Sequence, residues 1–270
     1  MKKNFCLLVF FFCFFASTGQ NDTLHGKSGV ELPLRGLCAH RGAMETHPEN
    51  TIVAFKAAVE AGAQMVELDI WLTKDRQMVV VHDASVDRTT NGSGRVSGLT
   101  LAQVKKLDAG SWKSRDFAGQ QIPTFEEVLS VIPRNVWINV HIKEESGTSQ
   151  MAAQLLQKEN RLHQSFLACS RKAAIKARQV VPGIMICNMD RQDSISDYVK
   201  ETIIMGVDFI QLKGDVTPEF AGYCRQLKAK GIRINYFGTD SPETIRLLFS
   251  YGVDFPLVND IVHSINYLKE

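Results

Sequence analysis

The amino-acid sequence predicts an α/β fold, namely a (β/α)8 TIM barrel with a small insertion after the second strand. Short apolar runs alternate with helical stretches along most of the chain, which is typical of a parallel sheet whose strands are connected by helices. These runs number eight when one hairpin arm is left out, and eight is the number of strands in such a barrel. The length of 270 residues suffices for one barrel of this kind or for two small domains.

The predicted barrel strands are short and mostly apolar. They are Leu37–His40, Gln64–Trp71, Val136–Ile142, Phe166–Cys169, Ile184–Asn188, Phe209–Leu212, Ile232–Phe237 and Phe255–Val258. The first predicted helix is Thr51–Ala61, and the flanking residues Pro48 and Gly62 are usual helix boundaries. Another helix, Thr124–Val131, is predicted before the third strand, and the remaining helices fall between the later strands.

One apolar run, Met78–His82, follows the second strand too soon to be its parallel neighbour. Only a short segment, which includes residues 73–77, separates the two, whereas a parallel crossover needs a dozen or more residues. The run is therefore predicted to return antiparallel, as a hairpin arm that carries His82 back over the barrel mouth. Residues 78–122 are predicted to form the insertion, which includes a short helix at Leu101–Leu107.

The N-terminus predicts export from the cell. Residues 1–20 combine Met1-Lys2-Lys3, an apolar run at Phe5–Ala16 and small or polar residues after it, which is the pattern of a secretory signal peptide. The apolar run is too short to span a bilayer, so no stable membrane anchor is expected after cleavage. Residues 21–34 are then an N-terminal extension, residues 35–270 form the barrel, and the protein is expected to be periplasmic or secreted.

Composition and cysteine spacing narrow the function classes. The formal net charge is only +2, and no Lys/Arg run is interleaved with aromatic residues, so a nucleic-acid partner is not expected. The four cysteines beyond the signal segment include no closely spaced pair of the metal-site type. Cys38, Cys169 and Cys187 fall in predicted strands, which favours buried and unreactive thiols, although one disulfide is compatible with an oxidising compartment.

The second predicted strand carries two acids on one face. Residues two apart on a strand point the same way, so Glu67 and Asp69 share a face, while Val66, Leu68 and Ile70 share the other. Two such close carboxylates repel each other unless a cation compensates them. Oxygen ligands of this kind suit Mg²⁺ or Ca²⁺.

Basic groups accompany these acids. His141 lies late in the third strand and Lys143 follows it, as expected for a barrel whose chemistry is at the C-terminal ends of its strands. His40 and His82 can transfer protons, and Arg41 can neutralise a phosphate. Together with the two carboxylates, these groups predict phosphodiester chemistry.

The order of the motifs resembles the glycerophosphodiester phosphodiesterase family. The motifs are His40-Arg41-Gly42, Pro48-Glu49-Asn50-Thr51, Glu67-x-Asp69, Thr73-Lys74-Asp75, His82-Asp83 and Asp87-Arg88-Thr89-Thr90. The resemblance covers essentially the whole mature chain and is sharpest from His40 to Asp108. It implies a TIM barrel with an insertion after its second strand, and metal-dependent hydrolysis of a glycerophosphodiester or a similar phosphodiester to a phosphomonoester and an alcohol.

Carried over residue by residue, the resemblance also implies roles. His40 and His82 would be the general acid/base pair, Glu67 and Asp69 metal ligands, and Arg41 and Lys143 phosphate contacts. Which histidine is the acid, and whether the nucleophile is water or a substrate hydroxyl, stay open. Glu49 and Asn50 lie at the start of the first predicted helix, where capping is a sufficient explanation for them, although their loop also faces the proposed site.

Three departures from the family pattern concern the metal and the substrate. The third strand reads His141-Ile142-Lys143 where the family has Glu-x-Lys, with the glutamate as a third ligand. An imidazole ligand adds Mn²⁺ or Zn²⁺ to the candidate ions. Three roles are open for His141: a metal ligand, a cationic contact to phosphate, or a structural residue packed in the barrel. Asn235-Tyr236-Phe237-Gly238 replaces Trp-Thr-Val-Asn, and Val258-Asn259-Asp260 stands where Thr-Asp is usual, so the alcohol group of the substrate is open.

Two other functions are compatible with these residues. One is a phosphodiester lyase or phospholipase relative on the same barrel, which would form a cyclic phosphate. The other is a non-catalytic protein that binds a phospho-ligand, its metal site having been lost with the third carboxylate. Both candidate acid/base histidines and both acids are present, which favours an enzyme.

Overall fold

The computed structural model describes residues 23–25 and 29–269, which form a closed barrel with a short hairpin before it. Its strands, numbered along the chain, are β1 (Thr23–His25), β2 (Glu31–Pro33), β3 (Cys38–Ala39), β4 (Met65–Leu72), β5 (Met78–Val80), β6 (Trp137–Ile142), β7 (Ser165–Cys169), β8 (Met185–Asn188), β9 (Phe209–Leu212), β10 (Arg233–Phe237) and β11 (Phe255–Val258). All except β1, β2 and β5 pair in parallel around the barrel, which closes where β3 joins β4 and β11. The predicted (β/α)8 barrel is confirmed.

A helix follows each barrel strand before the next one begins. The helices are α1 (Ile52–Ala61), α2 (Leu101–Val104), α3 (Phe125–Val131), α4 (Thr148–Lys158), α5 (Arg171–Val180), α6 (Ile195–Met205), α7 (Pro218–Lys228), α8 (Pro242–Ser250) and α9 (Ile261–Lys269). Helix α2 is the exception, because it belongs to the insertion. Ser or Thr at the N-cap accepts a hydrogen bond from the first turn of most of these helices, as at Thr51 and Thr124.

The strands separate two apolar layers. On β4, Val66, Leu68 and Ile70 face outward and pack with residues of the surrounding helices. Met65 of the same strand joins the aromatic core inside the barrel, where Phe166 stacks on Phe209 with ring centroids 4.0 Å apart. The alternation along β4 therefore directs Glu67 and Asp69 toward the barrel axis, as the sequence predicts.

The insertion begins with the predicted hairpin arm. Strand β5 pairs antiparallel with the end of β4, with Val80 opposite Ile70. A separate small core holds the insertion together, formed by Val79, Val81, Val86, Val96, Val104, Ala109 and Ile122. Helix α2 ends at Val104 rather than at the predicted Leu107, because the amides of Lys106 and Leu107 bond to carbonyls three residues back instead of four.

The segment before the barrel was predicted only as an extension, and the structure gives it a role. Strands β1 and β2 pair as an antiparallel hairpin, and Leu32 of β2 is buried in the core inside the barrel. Trp137 Nε1 donates a hydrogen bond to the Pro33 carbonyl at 2.9 Å, which fixes this segment at the N-terminal end of the barrel. The predicted signal peptide, residues 1–20, lies outside the described residues.

The remaining predicted strands and helices differ from those of the structure only at their ends. Strand β3 is shorter than the predicted Leu37–His40, because the Leu37 amide bonds to the Gln64 side chain at 2.8 Å instead of to a neighbouring strand. The described cysteines are all buried and free, and burial raises the pKa of Cys169 and of Cys224 to about 12. Within residues 23–25 and 29–269, no helix is long and apolar enough to span a membrane.

Candidate active site

Two carboxylates and one imidazole meet inside the mouth of the barrel. Glu67 and Asp69 come from β4, and His141 lies directly opposite Asp69 on the neighbouring strand β6. One ligand atom from each residue lies within 4.8 Å of the other two. His141 Nδ1 is 3.3 Å from Asp69 Oδ1 and 3.7 Å from Glu67 Oε1.

This cluster fits a divalent cation. Glu67 and Asp69 are 3% and 1% exposed, so their charges need a partner inside the protein. Asp69 Oδ1 is buried and accepts no hydrogen bond from the described residues. Two carboxylate oxygens and one imidazole nitrogen form a donor set used for divalent metals in proteins.

Neighbouring groups shift the pKa values of Asp69 and His141 in opposite directions. Burial would raise the pKa of Asp69, but His141 and Lys143 outweigh that effect and hold it well below its usual range. Lys143 Nζ lies 3.6 Å from Asp69 Oδ1. Burial would lower the pKa of His141, but the nearby Asp69 and Glu67 carboxylates raise it above its ordinary value. The two carboxylates therefore favour the protonated form of the His141 imidazole.

Arg41 reaches the same acids from the loop that follows β3. Its backbone is left-handed, with φ of 53°, and its amide donates to Glu67 Oε2 at 3.1 Å. Its Nε lies 3.5 Å from Asp69 Oδ2. The next residue, Gly42, has φ of 80°, and a Cβ there would come within 2.7 Å of the Ala54 backbone. Glycine after Arg41 therefore lets the loop approach α1.

Glu49 and Asn50 belong to the site, and the interpretation of them as capping residues was wrong. Thr51 is the N-cap of α1, whereas Asn50, with φ of 58°, donates from Nδ2 to Asp69 Oδ2 at 3.0 Å. Glu49 accepts hydrogen bonds from Arg41 NH1 at 3.0 Å and from both terminal nitrogens of Arg88. Burial would raise the pKa of Glu49, but the two arginines outweigh it and lower that pKa.

His40 is oriented by Asn259, the residue that follows the last strand of the barrel. Its Nδ1 lies 2.7 Å from Asn259 Oδ1. Asp240 accepts from the Asn259 amide at 2.7 Å and from Asn259 Nδ2 at 3.3 Å, so Oδ1 is the atom that faces the imidazole. Nδ1 of His40 must then be the donor, which leaves Nε2 as the acceptor, 4.0 Å from Glu67 Oε2.

The strand ends that depart from the family pattern lie against this histidine. Asn259 follows β11, and Phe237 ends β10 with its ring centroid 5.0 Å from that of His40. The sequence signalled these positions as unusual but did not predict what they contact.

His82 approaches from the insertion. The Val81 amide donates to the Asp69 carbonyl at 3.0 Å, which places His82 beside the end of β4. Trp71 Nε1 donates to the His82 carbonyl at 3.1 Å, and His82 Nδ1 lies 2.6 Å from Asp83 Oδ1. The structure therefore brings all seven residues that the sequence singled out to one mouth. They are His40, Arg41, Glu67, Asp69, His82, His141 and Lys143.

The chain matches proteins of one family. The model of the glycerophosphoryl diester phosphodiesterase family matches residues 40–195. The glycerophosphodiester phosphodiesterase of Caldanaerobacter subterraneus subsp. tengcongensis is 31% identical over 240 residues, which cover 87% of this chain and 98% of that protein. The Bacillus subtilis protein YhdW is 50% identical over 123 residues, 44% of this chain and 51% of that protein. The chain thus aligns with about half of YhdW.

Solved structures agree on the fold. The glycerophosphodiester phosphodiesterase of Agrobacterium tumefaciens has a TM-score of 0.74 at 22% identity, and the match covers 86% of this chain and 99% of that one. A phosphodiesterase of Oleispira antarctica, in complex with the product sn-glycerol-3-phosphate, has a TM-score of 0.74 at 22% identity over 88% of this chain and 98% of that one. The fold and the residues gathered at the barrel mouth are consistent with these sequence matches. This chain therefore belongs to the glycerophosphoryl diester phosphodiesterase family, a family of phosphoric diester hydrolases.

Proposed function

We propose that this protein hydrolyses a glycerophosphodiester, or a similar small phosphodiester, to a phosphomonoester and an alcohol. One observation carries the proposal. The barrel mouth brings together the cluster of two carboxylates and one imidazole, the basic side chains Arg41 and Lys143, and two other histidines. A phosphodiester needs that combination, because charge accumulates on the phosphoryl group while one proton is removed and another is supplied.

A divalent cation and the basic side chains would together stabilise the negative charge of the phosphate. Glu67, Asp69 and His141 would hold a divalent cation, which when bound supplies Lewis-acid stabilisation of the phosphoryl oxygens. Arg41 and Lys143 are 14% and 17% exposed in their side chains, so they can present positive charge to a substrate in the mouth. Both would bind the non-bridging oxygens of the phosphate.

The hydrogen-bond partners of the two histidines support a different role for each. His40 faces a neutral amide that fixes its Nδ1 as a donor, so its Nε2 can accept a proton from the attacking water. His82 faces the carboxylate of Asp83, a partner that suits a ring carrying a proton on both nitrogens. We therefore assign His40 as the general base and His82 as the general acid that protonates the departing alcohol.

Family membership favours hydrolysis over the two other functions. The relative from Oleispira antarctica was solved with sn-glycerol-3-phosphate as its product, a phosphomonoester and not a cyclic phosphate. Glu67, Asp69 and His141 also lie close enough together to hold a metal ion, which argues against a binding protein whose metal site has been lost.

Product analysis tests the proposal. Purified protein should be incubated with a panel of glycerophosphodiesters, adding back Mg²⁺, Ca²⁺, Mn²⁺ and Zn²⁺ in turn, and the products followed by phosphorus NMR. We expect a phosphomonoester with no cyclic intermediate released. Accumulation of a cyclic phosphate would instead identify a lyase, and binding without turnover under every metal would identify a binding protein.

His141 decides which metal the site prefers, and we propose that it is a ligand. The change His141→Glu should then shift the preference toward Mg²⁺ or Ca²⁺, because a third carboxylate replaces a softer nitrogen donor. Metal titrations of kcat for wild type and variant measure this shift. A KM raised under every metal would instead show that His141 is a cationic phosphate contact, and no change in either quantity would make it structural.

The pH dependence of metal binding checks the same assignment. A metal ligates only the neutral imidazole, and the pKa of His141 is raised, so the metal competes with a proton there. In wild type, metal affinity should weaken as the pH falls through that raised pKa and strengthen above it. The variant His141→Glu should lose this dependence near neutral pH, which calorimetry in buffers of different ionisation enthalpy would detect.

We also propose that the protein is exported and acts in lipid metabolism, since glycerophosphodiesters are the deacylated forms of phospholipids. Export is supported by residues 1–20, in which positively charged residues are followed by an apolar run. Expression of the full chain in a Gram-negative host should yield a periplasmic product whose mature N-terminus, by mass spectrometry, lies between residues 17 and 21. Cytoplasmic retention of an unprocessed chain would refute the proposal.

A further inference from the structure

A chain of charged contacts leads away from His82 through the insertion. Asp83 accepts from His82 on one carboxylate oxygen, and its other oxygen, Oδ2, accepts from Arg88 Nε at 2.6 Å. The Arg88 guanidinium then turns its two terminal nitrogens to Glu49, at 2.7 and 2.9 Å. One guanidinium thus binds two carboxylates, using Nε for the first and the terminal fork for the second.

The far end of this chain is the phosphate side of the mouth. Glu49 also accepts from Arg41 NH1 at 3.0 Å, and the Arg41 amide donates to Glu67. Arg88 is therefore joined to Arg41 through a shared carboxylate that is only 4% exposed. The insertion and the β3–α1 loop, 39 residues apart in sequence, are held in register by these contacts.

The position of Arg88 argues against a purely structural role. The side chains of Arg88 and Asp83 are 45% and 32% exposed, and ion pairs between exposed groups contribute little to stability. The insertion has its own apolar core, and it also meets the β3–α1 loop through Lys113, whose Nζ donates to the Met44 carbonyl at 2.9 Å. The insertion therefore has contacts that hold it in place apart from Arg88, whereas Asp83 Oδ2 accepts its hydrogen bond from Arg88.

We propose that Arg88 is a positioning residue, which holds Asp83 against His82 and sets the general acid at a fixed distance from the phosphate bound by Arg41. This inference rests on the proposed function and extends it. Without the guanidinium, Asp83 loses the donor on its outer oxygen, and the His82 ring loses its fixed orientation. Proton transfer to the departing alcohol should then suffer, while binding of the phosphate should not.

The test measures the activity of Arg88→Ala on two substrates. The matched control is Arg95→Ala, which changes an exposed arginine of the same insertion. A glycerophosphodiester with an alkyl alcohol needs a proton on its leaving group, whereas bis(p-nitrophenyl) phosphate does not. We expect kcat for the alkyl ester to fall about 10- to 100-fold with KM little changed, and kcat for the nitrophenyl ester to fall at most a few-fold. Arg95→Ala should match wild type on both.

Two further measurements separate positioning from other roles. Arg88→Ala should add little to the defect of His82→Ala, because the two act as a unit. Added guanidinium ions should restore part of the activity of Arg88→Ala, and Arg88→Lys should be intermediate, because lysine keeps the charge but not the fork. Equal losses on both esters, a raised KM, or an additive double variant would overturn the inference.

Imidazole NMR keeps this test independent of turnover. The His82 Nδ1 proton, shared with Asp83, should give a downfield signal in wild type and in Arg95→Ala that is lost in Arg88→Ala. Failure of wild type to cleave either ester would refute the proposed function, while the NMR comparison would still decide whether Arg88 orients His82. An unchanged signal in Arg88→Ala would refute the inference alone.

Discussion

Removal of divalent ions with a chelator should abolish turnover, and Asp69→Asn should lower kcat about 100-fold or more even with metal in excess. The change removes one ligand charge from the cluster while preserving the size of the side chain. Asp69 is also the buried counter-charge of His141, Lys143 and Arg41, whose nearest side-chain nitrogens all lie within 3.6 Å of its oxygens. The variant should therefore bind metal more weakly and unfold at a lower temperature.

Activity, metal content and thermal unfolding should be measured on the same preparations. Asp116→Asn, the same change at an exposed position of the insertion, is the matched control and should behave as wild type. Full activity of chelator-treated, metal-free enzyme would contradict the metal assignment, as would wild-type turnover in Asp69→Asn.

His40→Ala and His82→Ala should each lower kcat by about 100-fold or more, the usual scale for loss of a general acid or base. The substrate should distinguish them. His82→Ala should be far less damaging with bis(p-nitrophenyl) phosphate, whose leaving group needs no proton, whereas His40→Ala should be damaging with both esters. The increase in activation free energy in the double variant should be less than the sum of the two single increases, because both histidines act in one step.

The control for this pair is His163→Ala. His163 precedes β7 at the opposite end of the barrel, where its Nε2 lies 3.0 Å from the Arg134 carbonyl. Its loss should leave kcat unchanged on both esters. If His82→Ala kept near-native turnover of the alkyl ester, the acid would have to be another group; a larger loss on the nitrophenyl ester for His82→Ala than for His40→Ala would reverse the two roles.

The barrel and the carboxylate pair could be predicted from the sequence because both depend on local periodicity. Alternation along a strand places Glu67 and Asp69 on one side whatever the rest of the chain does. The five residues between β4 and β5 likewise allow only an antiparallel return, and such a return brings His82 back to the mouth.

The surroundings of these groups could not be predicted, because they depend on contacts between distant segments. Asn50 sits one residue before an N-cap, where capping explains an asparagine, and only its left-handed backbone and its bond to Asp69 show otherwise. His40 and Asn259 are 219 residues apart. A single sequence carries no signal for such a pair, although the unusual residue at Asn259 was visible as a departure from the family pattern.

The closure of the barrel by β3 and β11 determines when, during folding, the active site becomes complete. Strand β3 is two residues long and meets β11, the last of the barrel strands, while the His40 amide donates to the Val258 carbonyl at 3.0 Å. The proposed base therefore takes its final orientation only when the C-terminal strand has docked beside the first. A nascent chain that ends before β11 carries His40, Glu67, Asp69 and His82 yet lacks Asn259, which aligns His40. Cleavage should therefore begin only after β11 and the residue that follows it have been synthesised and docked.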